Sequence, residues 1–317
     1  DARHDELVAV QAKTGKIVWR QPLGEPLETA PLLHRGKIYQ PGGKGSLFVI
    51  DPISGRIDGR LKFGEQRLAT TPAADMSGTR LFLLGEQYLL YTITLGATPK
   101  CEDVYYTAHR RDSIVAAPLR LLRYLVLCEN STASTVRLRV FLLKIDGTMD
   151  SEMQRIPKEG DPPLNGWIHH QPAVYANLMF VATDLESVYV YSGGPPEKAD
   201  GFTPVPVKTA GGGTMPPGTR PQAYSMYYND KNLLVAGSLL RDYLYAAEQP
   251  ALTPATEKLP GAASQPIQRY PATGGRVDLL YVARRVPGSS GIAFTALDSK
   301  NLESKWEAVL GTGVLAI

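Results

Sequence analysis

The sequence is poor in the residues that usually carry redox or metal chemistry. Of its 317 residues, two are cysteine and five are histidine. The cysteines, Cys101 and Cys128, are neither adjacent nor spaced like zinc ligands. We therefore expect no metal site and no catalytic centre that can be recognised from a local motif.

The sequence also lacks an excess of one charge and a long hydrophobic run. Its 34 basic and 31 acidic residues give a net charge of +3, which argues against nucleic acid or an anionic membrane as partner. The densest basic stretch, Arg110, Arg111, Arg120 and Arg123, is expected to lie at solvated turns and strand ends. No apolar run reaches the roughly 18 residues that span a bilayer. We predict no transmembrane segment.

Glycine and proline, by contrast, are frequent and spread along the whole chain. There are 30 Gly and 25 Pro residues, a distribution typical of many short strands joined by turns. A series of prolines is spaced at intervals of 41 to 54 residues, which is the period of a four-stranded propeller blade. These prolines are Pro31, Pro72, Pro118, Pro172, Pro221 and Pro266. Apolar strands are predicted after these prolines at 37–39, 80–84, 124–127, 178–182, 233–236 and 279–283.

These units predict an all-β fold, a β-propeller of about seven four-stranded blades in a single domain, 1–317. The N- and C-terminal strands share one blade, so that no sheet edge is left exposed. Cys101 and Cys128 then fall near opposite faces, and we predict no disulfide, because that bond needs Cα atoms within about 7 Å. The predicted blades are 25–66, 67–110, 111–160, 166–210, 219–263 and 264–310, with 1–24 plus 311–317 as the shared blade.

A short signature marks the last two strands of some units. It runs from Ala9 through Thr14 and Gly15 to Trp19, and again from Thr295 through Asp298 to Trp306, with Asp51 and Gly55 in a related turn. Gly15 and Gly55 allow the positive φ of a tight turn, and Asp51 and Asp298 can accept hydrogen bonds from turn amides. Trp19 and Trp306 offer flat surfaces for packing between blades. We predict structural roles for all of them.

This signature resembles that of pyrroloquinoline-quinone-type propeller repeats. That family includes quinoprotein dehydrogenases and cofactor-free scaffolds, such as the lipoprotein of the outer-membrane barrel-assembly machinery. The resemblance implies a periplasmic or extracellular location, and a chain that begins with Asp1 rather than Met agrees with a mature or trimmed product. Catalytic members carry adjacent cysteines beside the quinone, and this chain has none, so no cofactor is expected.

Two groups of residues remain candidates for binding. His169 and His170 precede Pro172, and we place them at the start of a blade. One of them either contacts a ligand or metal at the mouth of the central channel or is a hydrogen-bonded structural histidine. Tyr224, Tyr227 and Tyr228 form either an interface with a partner or part of the packing between blades.

The function that these observations favour is a non-catalytic scaffold for protein–protein interaction, with another protein as its partner. Two alternatives stay open: a quinone- or metal-binding oxidoreductase, or a ligand-binding protein that uses the central channel. Residues from several blades can converge in space without any local motif, so the fold does not fix the function. The oligomeric state is not indicated.

Overall fold

The computed structural model describes residues 5–11, 14–75, 77–185, 187–195, 201–205, 208–209, 225–228, 231–237, 240–246, 251–259, 261–264, 267–270 and 278–311. In these ranges the regular elements are 28 strands and no helix. The strands form antiparallel sheets, in which successive strands of the chain are usually neighbours. The predicted all-β fold is confirmed for this part of the chain.

The chain divides into two compact units. The first comprises Asp1–Ser131 and Arg137–Asp161, and the second comprises Thr132–Val136 and Pro162–Ile317. The grouping of all 317 residues into one closed domain stays a prediction.

The first unit contains one two-stranded sheet followed by three four-stranded meanders. The two-stranded sheet pairs β1 (Glu6–Val10) with β2 (Ile17–Pro22). The next two sheets are β3 (Leu32–His34), β4 (Lys37–Gly42), β5 (Ser46–Ile50) and β6 (Ile57–Lys62), then β7 (Ala73–Ala74), β8 (Arg80–Leu84), β9 (Leu89–Thr94) and β10 (Lys100–Tyr106). The last is β11 (Leu119–Leu121), β12 (Tyr124–Asn130), β13 (Thr135–Leu143) and β14 (Met149–Ile156).

The second unit begins where a short strand, β15 (Leu164–Asn165), pairs with Thr135 and Val136 at the start of β13. Its three sheets again follow chain order, with one exception, a parallel pairing of β20 with β24. The strands are β16 (Ala173–Tyr175), β17 (Leu178–Ala182), β18 (Val188–Gly193) and β19 (Phe202–Val205), then β20 (Lys208–Thr209), β21 (Ser225–Tyr228), β22 (Asn232–Ala236), β23 (Leu240–Ala246) and β24 (Ala251–Leu259), and finally β25 (Gln268–Tyr270), β26 (Leu279–Arg285), β27 (Ile292–Asp298) and β28 (Ser304–Leu310).

Two sheets have five strands where the sequence predicted four. In one of them the reason is strand length. β13 has nine residues, and β14 pairs only with positions Leu138 to Leu143 of β13. The unpaired backbone groups of Thr135 and Val136 are therefore available to β15, since exposed edges recruit further strands. In the other sheet, β20 pairs along the outer edge of β24.

In the sheets of four or five strands, the core lies on the two middle strands of the meander, which are mostly apolar and buried on both faces. All five residues of β5 and all seven of β12 are buried, whereas β28 is exposed throughout. These strands are runs of Leu, Val, Ile and Phe, the residue types that suit a strand buried on both sides.

Consecutive sheets pack face to face within each unit. In the first unit, Leu47 and Val49 of one sheet share a buried cluster with Leu81 and Leu83 of the next. In the second, Leu234 of β22 lies in a cluster that also contains side chains of β26. Each fully buried leucine contributes about 1.5–3 kcal/mol, so this stacking is the main source of stability.

A five-residue turn recurs between the last two strands of three sheets. In each copy the backbone carbonyl of the first residue accepts a hydrogen bond from the amide of the fifth. The three pairs are Gly15 to Gln11 at 2.9 Å, Gly55 to Asp51 at 2.9 Å, and Leu302 to Asp298 at 2.8 Å. The fifth residue has positive φ in all three, at 69°, 75° and 58°. The signature glycines therefore serve backbone geometry.

Trp19 connects two sheets of the first unit through one of these turns. Its indole Nε1 donates to the carbonyl of Pro52 at 3.0 Å, and its ring lies so close to Gly55 that a Cβ there would be 2.6 Å from the ring. The absent side chain of Gly55 thus makes room for the indole.

We expect Gly55→Ala to destabilise the protein far more than Gly15→Ala. Both glycines have positive φ, which costs a non-glycine residue about 1–2 kcal/mol, but a Cβ at Gly15 meets nothing within 4 Å. Overpacking against Trp19 adds about 1–3 kcal/mol in Gly55→Ala alone. Urea unfolding followed by tryptophan fluorescence measures both losses, and equal losses in the two variants would contradict this account.

Candidate functional site

The polar residues of the repeat signature form hydrogen bonds within their own turns. The Asp51 carboxylate accepts hydrogen bonds from the amides of Ile53 and Ser54, at 3.0 and 2.8 Å, and from the Ser54 hydroxyl at 2.9 Å. These donors, the Ser54 amide first, lower the pKa of Asp51 to about 2. Thr14 forms a similar local contact, in which its hydroxyl donates to Gln11 Oε1 at 2.6 Å.

The last sheet repeats this arrangement. Asp298 accepts the amide of Lys300 at 2.9 Å and pairs with the Lys305 ammonium at 3.2 Å, and these two groups, the amide first, hold its pKa below the ordinary value. Trp306 packs against the ring of Tyr281 with centroids 5.9 Å apart, and 46% of Trp306 is exposed. Asp298 thus has the turn role that the signature predicts. Tyr281 and Trp306 belong to one sheet, so packing of Trp306 between blades stays a prediction.

The two histidines do not lie on a strand. They lie just before the first strand of a sheet, because β16 starts at Ala173 and residues 166–172 form an irregular segment. His169 Nε2 lies 3.3 Å from Asp184 Oδ2, while Asp184 Oδ1 accepts the amide of Trp167 at 2.7 Å. Asp184 thus organises this segment.

His170 is partly buried beside the same segment. Burial, and to a lesser extent the neighbouring His169, lowers its pKa. Its Nε2 is buried and has no hydrogen-bond partner among the described residues. The described residues contain no cluster of three or more His, Cys, Asp or Glu side chains that could hold a metal ion.

The arginines of the basic stretch bond to nearby backbone or carboxylate groups. Arg110 donates to the carbonyl of Ser131 at 2.5 Å, and Arg111 to Glu86 Oε2 at 2.7 Å. Arg120 and Arg123 bond the carbonyls of Leu122 and Leu143, at 3.2 and 2.9 Å. These partners belong to the first unit and fit the predicted turns and strand ends.

The two cysteines are free thiols on different sheets of the first unit. Cys101 is exposed on β10, and Cys128 is buried on β12. Burial raises the pKa of Cys128 to about 12, so this thiol stays protonated at neutral pH. Neither is a reactive thiolate by the usual criteria.

No helix in the described residues has the length and apolarity needed to cross a membrane.

The second unit contains a cavity of about 490 Å³, which the sequence does not predict. It is lined by β16, β21 and β25, by the residue before β26 and by the turn between β27 and β28. Tyr227, one of the predicted tyrosines, lies on its wall. Tyr224 lies outside the described residues, and only the backbone of Tyr228 is described.

The charged groups of this cavity come from three separated segments. Arg269 of β25 donates from Nε and Nη2 to Asp278 Oδ2, at 3.2 and 2.5 Å, and Lys300 follows β27. The ion pair with Asp278 raises the pKa of Arg269. No local motif joins these residues, so only the folded arrangement reveals the site.

Comparisons with known proteins agree with the repeat signature. Residues 2–93 match the family model described as outer membrane protein assembly factor BamB. Among solved structures, BamB from Moraxella catarrhalis is similar, with a TM-score of 0.58 and 12% sequence identity over 89% of this chain and 77% of that chain. No curated protein matches the sequence. The resemblance to pyrroloquinoline-quinone-type repeat proteins is confirmed, and the structural match shows a fold similar to that of BamB.

We expect Asp51→Asn to destabilise the protein at pH 7 and to have little effect at pH 2. Asparagine keeps an acceptor oxygen for the turn amides but loses the charge. Because the pKa of the folded carboxyl is depressed to about 2, from an ordinary value of 3.8, its contribution is complete above about pH 4 and is lost as the pH falls towards 2. Urea midpoints of the wild type and variant, measured across that range, report the difference.

Ser54→Ala is the matched control for this series. It removes only the hydroxyl donor and leaves both amide donors, so its effect has the same pH dependence and a smaller size. A difference between Asp51→Asn and the wild type that stays constant from pH 7 to pH 2 would show that the Asp51 charge does not stabilise the turn.

Proposed function

We propose that this protein is a non-catalytic β-propeller scaffold that binds another protein. The observation that carries the proposal is the use of its signature residues. Asp51, Asp298 and Trp19 bond to turn groups or to a neighbouring sheet, so the repeat motif serves architecture. The match of residues 2–93 to an assembly-factor family supports the same role.

The finer features of the proposal rest on the repeat pattern and on the family resemblance. They are a ring of seven blades, closed by a blade shared between 1–24 and 311–317, and a periplasmic or extracellular location. The name of the similar protein, outer membrane protein assembly factor BamB, supports a partner among proteins of the cell envelope.

A quinone oxidoreductase is the alternative that the residues fit less well. The adjacent cysteines of the catalytic relatives have no counterpart here, because the two cysteines of the chain are Cys101 and Cys128. His169 is engaged with Asp184. The proposal therefore assigns no cofactor to the chain.

Cross-linking in the organism that makes the protein, followed by affinity purification of a tagged chain, tests the scaffold proposal. We expect one or a few proteins to be recovered in near-equal amount with the chain, and not with an unrelated tagged protein of the same compartment. In parallel, the purified chain is mixed with pyrroloquinoline quinone, Ca²⁺ and an electron-accepting dye. Dye reduction with alcohols or sugars, together with no stoichiometric protein partner, would contradict the proposal.

A further inference from the structure

The cavity of the second unit is lined by both charged and apolar side chains. Arg269 and Lys300 line it together with one carboxylate, Asp278, so the described part of its lining has one more cation than anion. The lining also includes three apolar or aromatic residues, Val174, Tyr175 and Met226. A ligand here can therefore form both ion pairs and apolar contacts, in a space that one or two amino-acid side chains can fill.

Arg269 can serve a second anion. Its two hydrogen bonds to Asp278 use Nε and one proton of Nη2, and a guanidinium has five N–H donors. Among the described residues it has no other hydrogen-bond acceptor, and 58% of its side chain is exposed. Three donors therefore face solvent or an incoming carboxylate, which a planar guanidinium binds well.

The apolar part of the cavity is accessible. Val174 is 38% exposed and Tyr175 is 37% exposed, and Met226 is partly buried. Tyrosine and methionine are enriched in protein interfaces, where methionine adapts to irregular surfaces. An apolar side chain placed here loses contact with water, whereas its neighbours in a peptide can remain solvated.

We infer that this cavity docks an acidic peptide segment of a protein partner. One carboxylate of the segment pairs with Arg269 and Lys300, and an adjacent apolar side chain packs on Val174, Tyr175 and Met226. A peptide fits better than a free small molecule, because small-molecule sites bury about 70–90% of their ligand and this wall is open. The inference rests on the proposed scaffold function and names its binding site.

Fluorescence polarisation with a labelled decapeptide tests the site. The probe carries Glu-Leu-Glu-Phe within a Gly/Ser sequence, and the matched control carries Gln-Leu-Gln-Phe. We expect the acidic peptide to bind about five- to tenfold more tightly than its Gln analogue, with a difference that shrinks in high salt, as solvent-exposed charge pairs do. Equal binding of the two peptides would overturn the inference.

Two variants with opposite expected effects locate the contact. Lys300→Glu weakens binding of the acidic peptide by about fivefold or more, because it reverses one of two cations. Asp278→Asn strengthens it, because it removes the carboxylate that competes for Arg269. Lys16→Glu, a charge reversal at an exposed lysine of the first unit, leaves it unchanged. If Lys300→Glu and Lys16→Glu weakened peptide binding equally, the effect would be one of net charge, and this result would overturn the site.

Two further measurements separate the possible failures. Phenylacetate, a free carboxylate with an apolar group, displaces the probe only at far higher concentration than the unlabelled peptide does, and displacement at equal concentration would overturn a peptide as the occupant. Lys300→Glu also reduces the yield of the cross-linked partner. An unchanged yield would overturn this site and leave the scaffold function standing, whereas no partner for the wild type would contradict that function itself.

Discussion

Face-to-face packing of consecutive sheets within each unit is the interaction on which the rest of the structure depends. The two middle strands of the larger sheets are mostly buried on both sides, as β5 and β12 illustrate, and their side chains meet those of the adjacent sheet of the same unit. Because the buried strands are held rigidly, the first and fourth strands and the connecting turns are free to differ between repeats. Binding residues belong in those variable positions, and the cavity lining lies there.

The recurring turn shows how one backbone requirement is met by different residues. Gly15 and Gly55 adopt positive φ at little cost, whereas Leu302 adopts φ 58° in the equivalent position. Leu302 is fully buried within an apolar cluster. Burial of a leucine is worth about 1.5–3 kcal/mol, which offsets the roughly 1–2 kcal/mol of strain. The last sheet therefore keeps the turn without its signature glycine.

Local pattern was sufficient to predict much of the fold. The apolar runs at 80–84 and 178–182 coincide with β8 and β17, because strands buried on both faces are recognisable from consecutive apolar residues. The short strands β15 and β20 were not predicted. Each of them pairs with an edge that a longer strand leaves open. A strand of two residues is also too short to show an alternation of apolar and polar side chains.

The site was harder to predict than the fold. His169 and His170 drew attention as an adjacent pair, but Asp184, which fixes their segment, comes 14 residues after His170 and belongs to no motif. The cavity brings together Tyr175, Arg269 and Lys300, which are separated by two or more strands along the chain. Tyr227 alone among its residues was selected from sequence, because the cluster of tyrosines was visible and the charged partners were not.

The central claim is that this protein holds a partner through the open cavity of its second unit. Site-specific photocross-linking tests that claim most directly, with Tyr175 replaced by the photoreactive p-benzoylphenylalanine in the full chain, in the organism that makes it. We expect a covalent adduct with one protein, attached within an acidic segment of that protein. Irradiation that yields no protein adduct at Tyr175, while the same residue placed at an exposed position elsewhere captures a partner, would contradict it.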